Sequence, residues 1–356
     1  KRECENNTID LIESTTTTIK KKKSNNDGVY DSFQVATYNV WFGPPSQHER
    51  MFALSRALLE CNNPPLWFIG FQEVTPILWS ALKPILESAG YRVFCQNLDG
   101  SGYGVALAVL QQQDDTDSEQ KKLEIVETGW QPYRTTIMNR GFLYVRAQLP
   151  GDHQILFTTT HLESYVGNNG RGETYTGSSQ REEQIQEMEV FCRNQQQKEP
   201  MTLIMTGDLN WDDERIQSKG TDKVLTSVLP SSNNNNKWKD TWLELREQRR
   251  QILLSKNNGK IKKKDEPTCY TYDAKESPML GGSLRRRFDR ILVSSPIDIK
   301  IDDMTLIGTK AIDGVSWTKE SNWNGRVTRK VVPVLPSDHF GYVVALTTIN
   351  TEQRGK

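Results

Sequence analysis

The stretch MTLIMTGDLNWDD, Met201 to Asp213, runs an apolar segment into Gly207 and Asp208, continues through Asn210, and ends in two acids. Long and branched apolar residues without a charged interruption mark a buried strand, and the break at Gly207 marks its entry into a polar loop. Asp208 and Asn210 therefore stand where a rigid strand meets solvent, a place suited to side chains that must be aimed at a ligand.

The same grammar recurs along the chain. FQVATYNV (33–40), LWFIGF (66–71), GVALAVL (104–110), FLYVRAQL (142–149), ILFTTT (155–160), RILV (290–293) and YVVAL (342–346) read as strands. HERMFALSRALLE (48–60) reads as a helix with Met51, Leu54 and Leu58 on one face, and REEQIQEMEVFC (181–192) as an amphipathic helix. Thr75 and Pro76 have the form of an N-cap and first helical position ahead of Ile77, Leu78, Leu82 and Ile85, with Pro84 expected to kink or shorten that helix. Many strands with few helices between them argue against a doubly wound parallel sheet and for two packed sheets with helices outside.

Composition sets the class. The 356 residues are 35% hydrophobic, enough for a sizeable core, and carry 45 basic against 45 acidic residues, so any polyanion site must be local. Basic clusters at 20–23 and 260–264 read as solvated charge, whereas Arg285 to Arg287 adjoin a motif. The cysteines (Cys4, Cys61, Cys95, Cys192, Cys269) are scattered and lack metal-ligand spacing, which argues against a disulfide framework and against structural zinc and fits an intracellular compartment. No apolar run approaches the ~20 residues needed to span a bilayer, so no membrane partner is expected. The chain starts without Met, consistent with a missing upstream portion. Residues 1–31 read as a disordered leader, 32–350 as one catalytic domain with a low-complexity insertion at about 231–266, and 351–356 as a tail; 111–122 and 165–180 are further interruptions.

Polar signatures punctuate the strand ends: Asn39, Glu73, His161, the pair Asp208 and Asn210, Asp289, and Asp338 with His339. Each alone is an ordinary turn or core residue. Together, gathered at one sheet edge, they suit metal-assisted phosphoester hydrolysis. Glu73 is a hard oxygen ligand for Mg²⁺. Asp208 can orient or deprotonate water, and Asn210, His161 and Asn39 can donate to phosphate oxygens. His339 can stabilise charge at phosphorus, with Asp289 fixing its tautomer.

These residues carry a resemblance. Asn39, Gln72–Glu73, HLES from His161 to Ser164, GDLN from Gly207 to Asn210, FDR from Phe288 to Arg290 and SDH from Ser337 to His339 resemble the motif series of the endonuclease/exonuclease/phosphatase superfamily. The resemblance implies a four-layer α/β sandwich of two packed mixed β-sheets flanked by helices, with a Mg²⁺ site at one edge that Mn²⁺ can also fill. The finer signatures TYNVWF, QEVTP, GYGVALAVL, YTYDA, RRFDRI and LPSDHFG are similar to the branch that hydrolyses the bond between a protein tyrosine and a 5′ DNA phosphate. That similarity implies a monomeric DNA-repair hydrolase of nucleus and cytoplasm, acting on 5′ ends that carry tyrosyl adducts and on single-stranded overhangs. Asp208 would be the acid/base, His339 the transition-state donor, Asp338 part of the catalytic set, and Tyr103, Ser164, Tyr272 and Phe288 the DNA-end contacts, with Arg285 to Arg287 beside phosphates.

Three departures stand out. Trp41 occupies a position where many members carry Asp, which leaves Glu73 as the strong metal ligand; Asp212 stands where a basic residue is common; and the loop after HLES is longer. A deadenylase, another nuclease or a phospholipid or inositol-phosphate hydrolase of the same fold remains an alternative, as does a catalytically inactive binding module.

Overall fold

The computed structural model describes residues 32–61, 63–96, 98, 102–111, 123–149, 153–164, 167–168, 174–175, 177–213, 222–229, 236–256, 260–261, 267–323 and 326–349. The leader and tail read from the sequence lie outside these residues, as does the interruption at 111–122 apart from Gln111. In chain order the first half comprises β1 (Ser32–Asn39), α1 (Gln47–Leu59), β2 (Leu66–Val74), α2 (Pro76–Ser88), β3 (Tyr91–Cys95), β4 (Gly104–Leu110), β5 (Glu124–Pro132), β6 (Gly141–Gln148) and β7 (Gln154–His161). The short pair β8 (Gly167–Asn168) and β9 (Thr174–Tyr175) precedes α3 (Ser178–Lys198), β10 (Met201–Asp208), α4 (Leu225–Val228), β11 (Lys239–Asp240) and α5 (Thr241–Lys256). The chain ends with β12 (Tyr272–Asp273), β13 (Arg285–Arg286), β14 (Asp289–Ser294), β15 (Asp298–Ile307), β16 (Ser316–Trp323), β17 (Arg326–Pro333) and β18 (Gly341–Ile349).

Two six-stranded sheets result, ordered β15-β18-β1-β2-β4-β3 and β11-β14-β10-β7-β6-β5. Each is mixed, with β1–β2 and β7–β10 the parallel pairs in otherwise antiparallel ladders. Alternation along the strands builds the layers. Phe33 and Val35 of β1 point to a core between the sheets with Phe68, Phe157, Ile204 and Ile291, while Ala36 and Tyr38 face α1 and α2. Leu203 and Met205 of β10 pack outward against Ile185 and Met188 of α3. The order is helices, sheet, sheet, helix: the expected four-layer sandwich.

Helix α1 buries Met51, Leu54 and Leu58 as their spacing predicts. Helix α2 is capped by Thr75, whose side chain accepts from Leu78 N–H at 3.2 Å. It runs through Pro84 to Ser88 rather than being shortened there, and its buried face is Leu78, Leu82 and Leu86 while Ile77 is 56% exposed. Within the stretch 231–266, read from the sequence as a low-complexity insertion, β11 pairs with β14 and α5 places Trp242 and Leu245 in the inter-sheet core. Edge strands β3, β5 and β15 carry mixed polar and apolar residues, and no apolar run in the sequence marks them. No helix among the described residues is long and apolar enough to cross a membrane.

Candidate active site

The site continues the inter-sheet core. On the inner faces of β1, β7 and β10, apolar residues give way to Thr37, Thr159 and Thr206, and these give way to Asn39, His161 and Asp208. Gln72 bridges the sheets in the middle layer, its Nε2 donating to Thr37 Oγ1 (3.0 Å) and Thr159 Oγ1 (2.9 Å). Strand β14 runs the other way and so begins at the site with Asp289, which lies opposite Asp208 in the ladder, as His161 does on the other side.

The backbone is strained where it delivers these groups. Trp41, Glu73 and Asn210 have φ of 54°, 60° and 47°, a region that costs non-glycine residues energy and that clusters at functional sites. Gly207 sits at φ 143°, and a Cβ there would lie 1.9 Å from the Thr160 carbonyl oxygen, so only glycine can precede Asp208.

Asp208 is buried and fully oriented. Its Oδ1 accepts from Asn210 N–H (2.9 Å) and its Oδ2 from Asn39 Nδ2 (2.9 Å). Burial opposes its ionisation, but the neighbouring histidines and these two hydrogen bonds outweigh that and hold the carboxyl below the usual carboxylate range. Asn39 also donates to Glu73 Oε1 (3.1 Å), so both of its amide hydrogens fix the two acids relative to each other, and it has none left for a phosphate. Asn210 Nδ2 likewise reaches Leu162 O and Ser164 Oγ, each at 3.2 Å.

Two histidines flank Asp208 Oδ2, His161 Nε2 at 3.5 Å and His339 Nε2 at 3.8 Å. Arg140 Nη1 lies 2.7 Å from His161 Nδ1. A guanidinium can only donate, so Nδ1 accepts and the proton sits on Nε2, facing the cleft. Burial and then Arg140 press His161 well below its ordinary value, and it is neutral. His339 is the opposite case: burial works against its charge, but Asp289 Oδ2 at 2.8 Å from Nδ1, with Asp208 and Asp338 nearby, holds it well above the ordinary range as an imidazolium. One ring is a neutral donor and the other a charged one.

Glu73 faces the cleft from the bulged end of β2, its Oε2 accepting from Phe42 N–H at 3.3 Å. Burial first and Asp338 second push its carboxyl up to about 7. An acid crowded by acids is what a hard cation relieves, and Glu73 and Asp208 offer carboxylate oxygens within 4.8 Å of each other, whereas His161, with its proton on Nε2, offers the cleft no lone pair. Carboxylate oxygens of this kind suit a hard divalent cation. Ser337 Oγ donates to the Asn39 carbonyl (2.7 Å), which locks the SDH turn onto β1 and sets Asp338 in place.

Aromatic walls stand on both sides. Tyr272 contacts the His339 ring edge to face at 5.2 Å, with Phe288 5.8 Å from Tyr272. Opposite, Tyr103 stacks on Phe42 at 4.9 Å, and Arg140 caps it while donating to its hydroxyl (2.9 Å) and to Ser164 Oγ (3.1 Å). Phe42 and Arg140 escaped the sequence reading; Arg140 lies in a turn before β6, and only the fold brings it to His161. The expectation for Arg285 to Arg287 is corrected. Arg285 holds Asp273 through Nε and Nη2, Arg286 holds Asp212 at 3.0 Å, and Arg287 is buried on Asp240 at 2.8 Å. Internal acids neutralise all three, and Asp212, unexpected in the sequence, is the partner of Arg286.

The Endonuclease/Exonuclease/phosphatase family model matches residues 36–339. Solved structures similar to the chain include truncated TDP2 of Caenorhabditis elegans (19% identity, 90% of this chain and 98% of that one, TM-score 0.60). D. rerio TDP2 complexed with single strand DNA product is also similar (21% identity, 88% and 98%, TM-score 0.59), as is the human Nocturnin catalytic domain (15%, 90% and 97%, TM-score 0.52). No curated protein matches the chain by sequence.

Proposed function

The chain belongs to the endonuclease/exonuclease/phosphatase family, and from that premise we propose that it is a Mg²⁺-dependent phosphodiesterase that hydrolyses the 5′-phosphotyrosyl bond between a trapped protein, such as a topoisomerase adduct, and DNA. The observation that carries the reading is the pairing of an oriented, ionised Asp208 with His339 held charged by Asp289, framed by two aromatic walls.

Glu73 would hold Mg²⁺, which when bound would supply charge neutralisation to the phosphate. The chain's own residues do the rest. Asp208 accepts a hydrogen bond from the attacking water; with its carboxyl held low it orients the water first and takes the proton only as the new P–O bond acidifies it. The Nε2–H groups of His339 and His161 point at the position where negative charge grows on phosphate oxygens. Ser164, whose oxygen already accepts from Arg140 and Asn210, keeps its hydroxyl hydrogen for a substrate oxygen. Products are a free tyrosine hydroxyl and a 5′-phosphate. Tyr272 and Phe288 on one side and Phe42 and Tyr103 on the other give sequence-tolerant surfaces for a nucleotide and a tyrosine ring. The similarity to TDP2 structures, one of them with a single-stranded DNA product, supports this choice of substrate, as do the RRFDRI and LPSDHFG signatures. A nuclear site of action belongs to the same proposal.

The test is incubation with a 5′-phosphotyrosyl oligonucleotide, poly(A), sphingomyelin and an inositol polyphosphate, each with Mg²⁺ and with EDTA. The reading expects Mg²⁺-dependent release of a 5′-phosphate end. Turnover of any of the other three without the first overturns it.

A further inference from the structure

Strands β16 and β17 belong to neither central sheet. They form a separate hairpin of eight paired positions, Ser316↔Pro333 to Trp323↔Arg326. Its base is anchored beside the cleft: Trp317 meets Trp41 edge to face at 6.2 Å, Val332 is buried, and β17 leads through Val334 and Leu335 straight into Ser337–Asp338–His339. Lys319 Nζ donates to Met279 O (2.7 Å) in the segment between β12 and β13, and β12 carries the Tyr272 that rests on His339. The hairpin therefore rises from the flank that bears Trp41, Tyr272 and His339.

Its charge is unusual for a chain of zero net charge. Residues 316–333 contain Lys319, Arg326, Arg329 and Lys330 against Glu320 alone. Glu320 is committed to Arg329 at 2.6 Å. Register places Lys319 directly opposite Lys330, and partners in an antiparallel ladder point to one face. Like charges so placed destabilise a hairpin, and the Lys319 ammonium, part buried and facing Lys330, is held below its ordinary value. Lys330 and Arg326 are exposed, and no acid partners them among the described residues. Lysines often guard exposed strands against edge pairing. That role does not account for this hairpin, which leaves Val327 and Val331 53% and 65% exposed and sets two ammonium groups across one ladder.

We propose that the β16–β17 hairpin is an arm that grips the sugar–phosphate backbone of the single strand leading away from the active site, with Arg326 and Lys330 as its phosphate contacts and Lys319 behind them. The inference rests on the reading of the substrate as a DNA end. It adds a binding surface that sees only the polymer, so a substrate of one nucleotide never reaches it.

The experiment uses the full chain with Mg²⁺ and a short 5′-phosphorylated oligothymidylate, a product-like probe, and compares wild type with Arg326→Gln/Lys330→Gln by anisotropy across a salt series. Two lost contacts should lower the slope of log K against log salt by about 1.4, at about 0.7 per phosphate on a single strand. Between roughly 50 and 200 mM salt the wild-type affinity then falls about sevenfold more than that of the variant. Turnover of a small chromogenic phosphodiester should be unchanged, and the charge-keeping variant Arg326→Lys/Lys330→Arg should restore the slope. An unchanged slope, a parallel loss on the small substrate, or failure of the charge-keeping variant to restore binding each overturns the arm. Wild-type cleavage of a 5′-phosphotyrosyl oligonucleotide with equal slopes removes the arm and keeps the proposed function; a slope difference without that cleavage does the reverse.

Discussion

Strand β14 and the two residues before it serve two buried charged clusters that differ in every respect except burial. On one side Arg287 and Arg290 converge on Asp240 at 2.8 and 3.1 Å, and Arg290 also holds Asp213 at 2.8 Å, so two guanidinium groups meet two carboxylates. Burial opposes ionisation of Asp240, yet the two arginines hold its carboxyl below the usual range. On the other side Asp289 enters a cluster in which Glu73, Asp208, Asp289 and Asp338 face the single imidazolium of His339. The nearby cations do not pair with these acids: Arg50 donates to the carbonyls of Val40, Gly43 and Pro336, and Arg140 to His161, Tyr103 and Ser164. Asp289 Oδ1 is buried and makes no hydrogen bond of good geometry among the described residues. A satisfied cluster stabilises a fold; an unsatisfied one stores interactions for a ligand.

The largest expected effect tests the satisfied side. Asp240→Ala leaves two guanidinium groups buried without a carboxylate between them and should destabilise the protein by about 3–5 kcal/mol, read as a lower denaturant midpoint at unchanged slope. A loss below ~1 kcal/mol would show that water already reaches the pair.

On the unsatisfied side, His339→Ala and Asp289→Ala should each lower kcat by roughly 10²-fold or more. The double variant should lose much less than the product, because Asp289 acts through the His339 ring. Multiplicative losses would separate the two roles.

Glu73→Gln sharpens the contrast, since it should abolish Mg²⁺-dependent turnover while making the metal-free fold more stable. A carboxyl raised to about 7 in the fold from a lower unfolded value favours folding below the unfolded value, and that contribution disappears as pH rises through 7. In EDTA the glutamine variant should therefore gain roughly 1–3 kcal/mol over wild type at pH 8 and lose the advantage near pH 4. Equal stability at both values would mean that Glu73 is not crowded by its neighbours.

The smallest effect concerns the wall. Tyr272→Ala should weaken single-stranded DNA binding by about 1–3 kcal/mol with little dependence on base, and leave a small chromogenic phosphodiester unaffected. Equal impairment of both substrates would make Tyr272 a support for His339 instead.

Much of the fold, and the grouping of the candidate-site residues, was legible in the sequence because strand ends announce themselves. Asn39, Glu73, His161, Asp208, Asp289 and His339 each terminate or open an apolar run, and the layer order follows from alternation within those runs. The features that stayed hidden depend on pairings distant in the chain. Asp240 sits beside an asparagine- and lysine-rich stretch and acquires meaning only across 50 residues from Arg290. Arg285 to Arg287 looked like phosphate contacts because an arginine run gives no sign of the aspartates that meet it. The β16–β17 hairpin mixes charged, polar and apolar residues without a clean alternation, and the shared face of its basic residues emerges only from register.

The most direct test of the central claim is hydrolysis of a 5′-phosphotyrosyl oligonucleotide in ¹⁸O-labelled water with Mg²⁺, with mass spectrometry of both products. Water aimed by Asp208 at phosphorus predicts label in the 5′-phosphate and none in tyrosine, with no reaction in EDTA. Label in the tyrosine hydroxyl, or hydrolysis that persists without the metal, would contradict it.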